Sequence, residues 1–276
     1  MWIKLNHTSK MLAWQIPFPV ILPSDNVNST ERRLQIIQTP YMILVIAANR
    51  YLSERKIKMS EFHPIDMQTW PMAQAFHYYT RIAPTSYTIN VNMDVTILRR
   101  ELKKRGYKFF PAYLYLATRV ISNQQELRIH VKDGVLGYWD TLTPAYPQFH
   151  ADDKTTSLLW TEYNEKFAYF YNAYLNDTKQ HGQSHGILSS KGVPPANAYI
   201  ISCIPWFTFN SFSLHNHGIK DYYVPSFEAG GFAETAGGKI NMPLSVTVHH
   251  AVTDGYHLKV FFEELQRMMD CPGEWL

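Results

Sequence analysis

Two cysteines in 276 residues, Cys203 and Cys271, are too few for a disulfide framework and fit a reducing compartment. Long apolar runs are also missing. The longest, Tyr41 to Ala48, is about half the length a membrane-spanning helix needs. An apolar run near the start, Ala13 to Leu22, is broken by Gln15, Pro17 and Pro19 and ends in no small-residue cleavage site, which argues against secretion. These absences predict a cytoplasmic protein without a membrane partner. Charge of one sign is scarce too. Residues 1–58 carry eight bases and three acids, and the remaining 218 residues carry 18 bases against 20 acids. A body with no basic surplus has nothing to grip a phosphate backbone, so nucleic acid is excluded as the main partner. Internal repeats and low-complexity tracts are lacking as well.

What is present is apolar: 46% of residues are hydrophobic and 14% aromatic, enough to bury a sizeable core. Residues 1–58 show no sustained period of 2 or 3.6, and a basic cluster from Arg50 to Lys58 runs up to Met59. The chain is therefore read as an extension, 1–58, without a core of its own, and one domain, 59–276, with Met59 as the natural start.

In that domain strand-like and helix-like stretches alternate. Tyr87, Ile89, Val91 and Met93 alternate with polar residues, predicting a strand. Asp94 then caps a helix whose Val95, Leu98 and Leu102 share a face and which Gly106 stops. Pro111 suits the first turn of an apolar helix reaching about Ile121. Leu127 to Val131 and Val135 to Tyr138, joined by Lys132-Asp133-Gly134, predict a hairpin. Further strands are expected at Tyr199–Ile204 and Leu244–Val248. A final amphipathic helix is marked by Leu258, Phe261, Phe262, Leu265, Met268 and Met269. The pattern predicts an α/β fold with a mixed β-sheet covered by helices.

The richest local sequence is HHAVTDGYH, His249 to His257, at the turn between the last strand and the last helix. Three readings fit it. The histidines end a strand and Asp254 caps a helix; or His249, His250, Asp254 and His257 ligate a metal; or one histidine is a general base. Adjacent histidines on a strand point to opposite faces, and no HExxH or paired Cys-His spacing is present, so no metal is expected.

The same stretch resembles the active-site signature of the chloramphenicol acetyltransferase family, within the wider HHxxxDG group of CoA-dependent acyltransferases. The similarity starts near Trp70 and runs through YKFFPAYLY (from Tyr107), ELRIHVKDG (from Glu126), YWDTLTPAY (from Tyr138) and SLLWTEY (from Ser157). It continues through SCIPWFTFNSFSL (from Ser202) and PLSVTVHHAVTDGYH (from Pro243). The blocks follow in family order over about 200 residues, which chance convergence does not produce.

The resemblance implies a chloramphenicol acetyltransferase-like two-layer α/β sandwich, assembled as a homotrimer with the site at the subunit interface. It implies direct acetyl transfer from acetyl-CoA, a co-substrate rather than a bound cofactor, to a hydroxyl of chloramphenicol, conferring antibiotic resistance. His250 matches the general base, Ser202 the oxyanion donor, and Asp254 a structural aspartate. Lys108, Phe110, Ser157 and Trp206 match the CoA tunnel, and Tyr79, Phe212 and Leu214 match the acceptor pocket. The sequence departs from the family at Met72, where an arginine partner of Asp254 is expected, which leaves Arg81 or the amides of the last helix to satisfy that carboxylate. Thr156, Ser189 and Glu228 stand where Phe or Thr is usual, making the pocket more polar. The alternatives are an acyltransferase of the same fold with another acceptor, and a decayed binder of hydrophobic ligands.

Overall fold

The computed structural model describes residues 60–216 and 220–276. The expected boundary at 58/59 and the start at Met59 lie outside the described residues.

Polar–apolar alternation builds the main sheet. Strand β2 (Ser86–Asp94) turns Tyr87, Ile89, Val91 and Met93 to the core, as the period-2 pattern predicts. After the short helix α1 (Ala73–His77) and β2, helix α2 (Thr96–Arg105) follows and buries Leu98 and Leu102. Asp94 caps it from one residue further out than usual: its Oδ1 accepts from the Thr96 amide (3.0 Å) and from Thr96 Oγ1 (2.6 Å). Those bonds, with Lys239 Nζ at 3.0 Å, hold the Asp94 carboxyl down at about 2. Gly106 ends the helix at φ 73°, a left-handed cap that a side chain would strain. The apolar helix α3 (Phe109–Ser122) has Pro111 in its first turn, where the missing N–H costs nothing.

The expected hairpin is present with its first strand beginning two residues later. A 3₁₀ turn covers Gln125–Arg128, and the strands are β3 (Ile129–Lys132) and β4 (Val135–Trp139), so Leu127 and Arg128 precede the ladder. Asp133 and Gly134 both take positive φ (51° and 79°), the tight-turn geometry that matches strand twist. With β1 (Phe62–Pro64) these strands form a three-stranded sheet in the order β1-β4-β3.

The large sheet adds β5 (Thr143–Phe149), β6 (Thr156–Trp160), β7 (Ala198–Ile204), β8 (Ser226–Gly230), the two-residue β9 (Ala233–Glu234) and β10 (Ile240–His249). Its order is β2-β10-β8-β7-β5-β6, with β5-β7 and β7-β8 parallel and the other pairs antiparallel. Helix α4 (Phe167–His181) and the final helix α5 (Gly255–Asp270) complete the elements that matter here. Leu258, Phe261, Phe262, Leu265, Met268 and Met269 of α5 are all buried, each stabilising the fold by about 1.5–3 kcal/mol.

The two faces of the sheet differ. Tyr199 and Ile201, Phe227 and Ala229, and Leu244, Val246 and Val248 belong to the helix-covered core. Side chains alternate along each strand, so Ser202, Glu228, Ser245 and Thr247 look the other way. That second face is partly roofed by the segment after β7. The Phe212 amide donates to Asn90 Oδ1 (3.0 Å), and Ser245 Oγ donates to the Phe212 carbonyl (2.6 Å).

Candidate active site

Strand β10 ends at His249, and the chain turns at once because the amides of Val252 and Thr253 both donate to the His249 carbonyl (3.1 and 3.2 Å). Ala251 and Val252 are fully buried in a small second core with Ile129 and Tyr223, against which Trp70, Phe76 and Tyr79 pack. Two apolar anchors thus fix the loop on either side of its polar groups. The His250 amide donates to the Thr85 carbonyl at 2.9 Å. Its ring stacks on Tyr79 (centroids 4.1 Å apart, 20° between planes) and meets the edge of Tyr87 at 5.0 Å. Nδ1 of His250 is enclosed, with no hydrogen-bond partner among the described residues, which leaves Nε2 as the nitrogen able to exchange a proton with a ligand.

His249 points elsewhere, as strand alternation requires. Its ring meets the edge of Tyr223, and its Nδ1 accepts from the Ala251 amide at 3.2 Å. Burial first, and then His250 beside it, push its pKa down.

Asp254 caps α5. Its Oδ1 accepts from the amides of Tyr256 (2.9 Å) and His257 (3.3 Å), while its own amide donates to His257 Nδ1 (3.1 Å). This is a reciprocal capping box with histidine in the third position. Of the two partners expected in place of the arginine missing at Met72, the helix amides are therefore the ones used. The carboxylate is 45% exposed, so it needs no buried cation.

Ser202 lies elsewhere in the chain. It sits on β7 in register with Glu228 of β8, which is in register with Ser245 of β10. From Ser245 to His250 is five residues along the strand, and from β10 to β7 is two strand spacings. The separation is about 20 Å. One chain cannot bring these two groups to the same reacting atom.

The other expected residues fall into two regions. Ser157 is buried on β6 with its Oγ 3.0 Å from His150 Nε2. Trp206, just after β7, is 64% exposed and meets the edge of Phe149 at 5.1 Å, at the sheet end where β6 begins. Lys108 is exposed at the N-cap of α3, its amide donating to Tyr171 Oη at 3.1 Å. Phe110 is turned inward, its ring 5.6 Å from Tyr146 and 6.3 Å from Tyr174, so the structure gives it a packing contact. On the acceptor side Tyr79 touches His250 directly. Leu214 lines a cavity of about 270 Å³ with Thr85, Tyr222, Ser226, Thr247 and His249, and Phe212 clamps the roof segment through its backbone.

Among the positions that depart from the usual types, Thr156 is exposed and the hydroxyl of Ser189 is buried with no hydrogen-bond partner among the described residues. Glu228 is 2% exposed, and neither of its carboxylate oxygens has a hydrogen-bond partner among the described residues. Burial raises its pKa to about 7, with the Ser226 hydroxyl alone favouring the charged form. The sequence marks no strand around this acid, so it gives the side chain no face.

The HHAVTDGYH side chains do not converge as metal ligands. Two other clusters of the described residues come within ligand reach: His150, Asp152 and His185, and Glu61, His63 and Asp140. In the first the two rings are stacked 4.2 Å apart, so their lone pairs lie side by side, and His185 is held by Asp153 at 2.7 Å and Asp152 at 3.3 Å. His63 is likewise held by Asp140 at 2.7 Å. His185 and His63 are thus each already engaged by a carboxylate.

A mixed sheet, helices on one face and an HHxxxDG loop between its last strand and last helix define the class first: an acyltransferase. The fold matches that of a chloramphenicol acetyltransferase with TM-score 0.65 at 20% identity, over 76% of this chain and 100% of the other. A dihydrolipoamide acetyltransferase of Azotobacter vinelandii aligns with TM-score 0.52 at 12% identity, over 92% and 97% of the two chains, and shows the fold alone. Sequence narrows this further. The family described as chloramphenicol acetyltransferase matches residues 60–266. The chain is 39% identical to the chloramphenicol acetyltransferase of Staphylococcus aureus over 216 residues, covering 78% of this chain and 99% of that one. It is 32% identical to that of Escherichia coli over 218 residues, covering 79% and 97%. The chain belongs to the chloramphenicol acetyltransferase family.

Proposed function

We propose that this acyltransferase moves the acetyl group of acetyl-CoA to a hydroxyl of chloramphenicol. The observation that carries the reading is the His250 ring, clamped between Tyr79 and Tyr87 with Nδ1 shut in and Nε2 making no hydrogen bond among the described residues. Nε2 takes the proton of the acceptor hydroxyl as its oxygen attacks the thioester carbonyl. The tetrahedral oxyanion accepts a hydrogen bond from Ser202 Oγ, and its collapse breaks the carbon–sulfur bond. The proton then passes from the imidazolium to the departing thiolate, giving free CoA thiol. Asp254 acts at one remove by fixing the loop end. Ser157, Trp206 and Lys108 are the groups assigned to CoA, with Phe110 behind them, and Tyr79, Phe212 and Leu214 those assigned to the acceptor.

The separation of about 20 Å between His250 and Ser202 supports a site shared between copies of the chain, as in a homotrimer, with His250 from one subunit facing Ser202 of the next. Free cysteines at 203 and 271 and the lack, among the described residues, of any helix long and apolar enough to cross a membrane support a cytoplasmic setting. The buried Glu228 favours a second reading, the same transfer to a different, more polar acceptor.

The test follows thiol release from acetyl-CoA with chloramphenicol, then repeats it with His250→Ala and Ser202→Ala chains refolded together. Each variant alone should be nearly inactive. The mixture should recover activity, because about a quarter of randomly assembled interface sites receive both native residues. A mixture as inactive as its parents would refute the shared site, and no thiol release from the native protein would refute chloramphenicol as acceptor.

A further inference from the structure

Four residues lie in one row across the polar face of the sheet: Ser202 on β7, Glu228 on β8, Ser245 on β10 and Asn90 on β2. Two of them serve the fold, since Asn90 and Ser245 both hold the backbone of Phe212. The other two do not. Among the described residues the Ser202 hydroxyl makes no hydrogen bond and no lysine or arginine pairs with Glu228, whose charged form only the Ser226 hydroxyl favours. The electrostatic neighbours of Glu228 are Tyr113, whose buried hydroxyl has no hydrogen-bond partner among the described residues, and Tyr222. An unpaired buried carboxyl is among the costlier groups a core can hold. The next row on the same face, Ser226 and Thr247, belongs to the cavity that Leu214 lines, so Glu228 stands one row from a space assigned to the acceptor.

We infer that Glu228 is a specificity-determining group, and that it recognises an acceptor carrying a basic amine beside the hydroxyl to be acetylated. This rests on the acetyl-transfer reading, with Ser202 at the oxyanion. Strands lie about 4.8 Å apart, so a carboxyl in register with Ser202 sits one functional group away from the reacting carbon. An ammonium there supplies the cation and the donor N–H groups that the chain itself withholds. Burial raises the carboxyl to about 7, so at neutral pH it is poised to ionise when a cation arrives. A buried polar group left unpaired by the wrong ligand is also the strongest source of discrimination a pocket has.

The experiment compares chloramphenicol with its free-amine base, in which the dichloroacetyl amide is replaced by an amine next to the same diol. For both, kcat/KM is measured in native protein and in Glu228→Gln, and direct binding by titration calorimetry. The native protein should prefer the amine, and Glu228→Gln should shift the ratio against it by at least about tenfold. An unchanged ratio overturns the inference. Should neither compound turn over, the acetyl-transfer reading fails on its own, and calorimetry still decides: tighter amine binding in native protein than in the variant supports the carboxyl's role, and equal binding overturns it. Should Glu228→Gln not fold, the native ratio decides, and equal or better use of chloramphenicol overturns it.

Discussion

Asp254 offers a clean separation between a charge that is needed and a cap that is needed. Its side chain satisfies two amides at the start of α5 and is 45% exposed. Removing the oxygens in Asp254→Ala strands those amides and should cost about 1–2 kcal/mol. Asp254→Asn keeps an acceptor in place and loses only the attraction of a half-exposed charge for the helix dipole, about 0.5 kcal/mol. At roughly 2–4 °C per kcal/mol for a domain of this size, alanine should lower Tm by about 2–8 °C and asparagine by about 1–2 °C. Urea unfolding at equal m-values would give the same ranking in free energy. Acetyl transfer should follow it, with asparagine close to native and alanine impaired because His250 sits four residues upstream. If asparagine proves as damaging as alanine, Asp254 works as an ion-pair partner and the capping argument is wrong.

Ser202→Ala should lower kcat by roughly 100-fold with little change in KM, the usual loss for one oxyanion donor. Equal losses in binding and turnover would give Ser202 a different role. Glu228 carries a pKa raised from 4.5 to about 7, so its contribution to stability is full below about pH 4.5 and is lost as pH rises through 7. That swing is about 3 kcal/mol, and Glu228→Gln should flatten it in urea titrations at several pH values; an unaltered slope would place the effect elsewhere. Phe261→Ala on α5 should cost about 3–5 kcal/mol, since its ring is fully buried against Phe227 and Phe262. Burial pushes the Cys203 thiol up to about 11 while Cys271 is exposed, so brief alkylation at pH 8 should label Cys271 alone by mass spectrometry.

Elements with one wet face were legible from their period, and the apolar helix α3 from its unbroken run after Pro111. β2 alternates cleanly and α5 repeats at helical spacing, and both lie where expected. Strand β10 runs four residues earlier than its expected start because Asn241 to Pro243 pair with β2 and Ile240 with β9, across a proline that reads as a strand boundary in the sequence. β5 escaped notice because Pro144 and Pro147 interrupt it, and β8 because a five-residue buried strand containing Glu and Gly has no β signature. Helix α4 was not expected, although Phe167, Phe170, Tyr171 and Tyr174 form a stripe at helical spacing. In the site, the cap at Asp254 follows from spacing. The stacking of Tyr79 on His250, more than 170 residues later, follows only from the fold, and so does the unpaired state of Glu228.

In the large sheet β10 alone joins β2 to β8. Its central amides, Leu244 to Thr247, lie between ladders on both sides, so deuterium should enter there last, at the rate of whole-molecule opening. The residue that follows this strand by one position is His250. Native-state exchange should therefore find the imidazole tethered to the slowest-opening part of the protein, while Trp206 and its neighbours beyond β7 breathe freely.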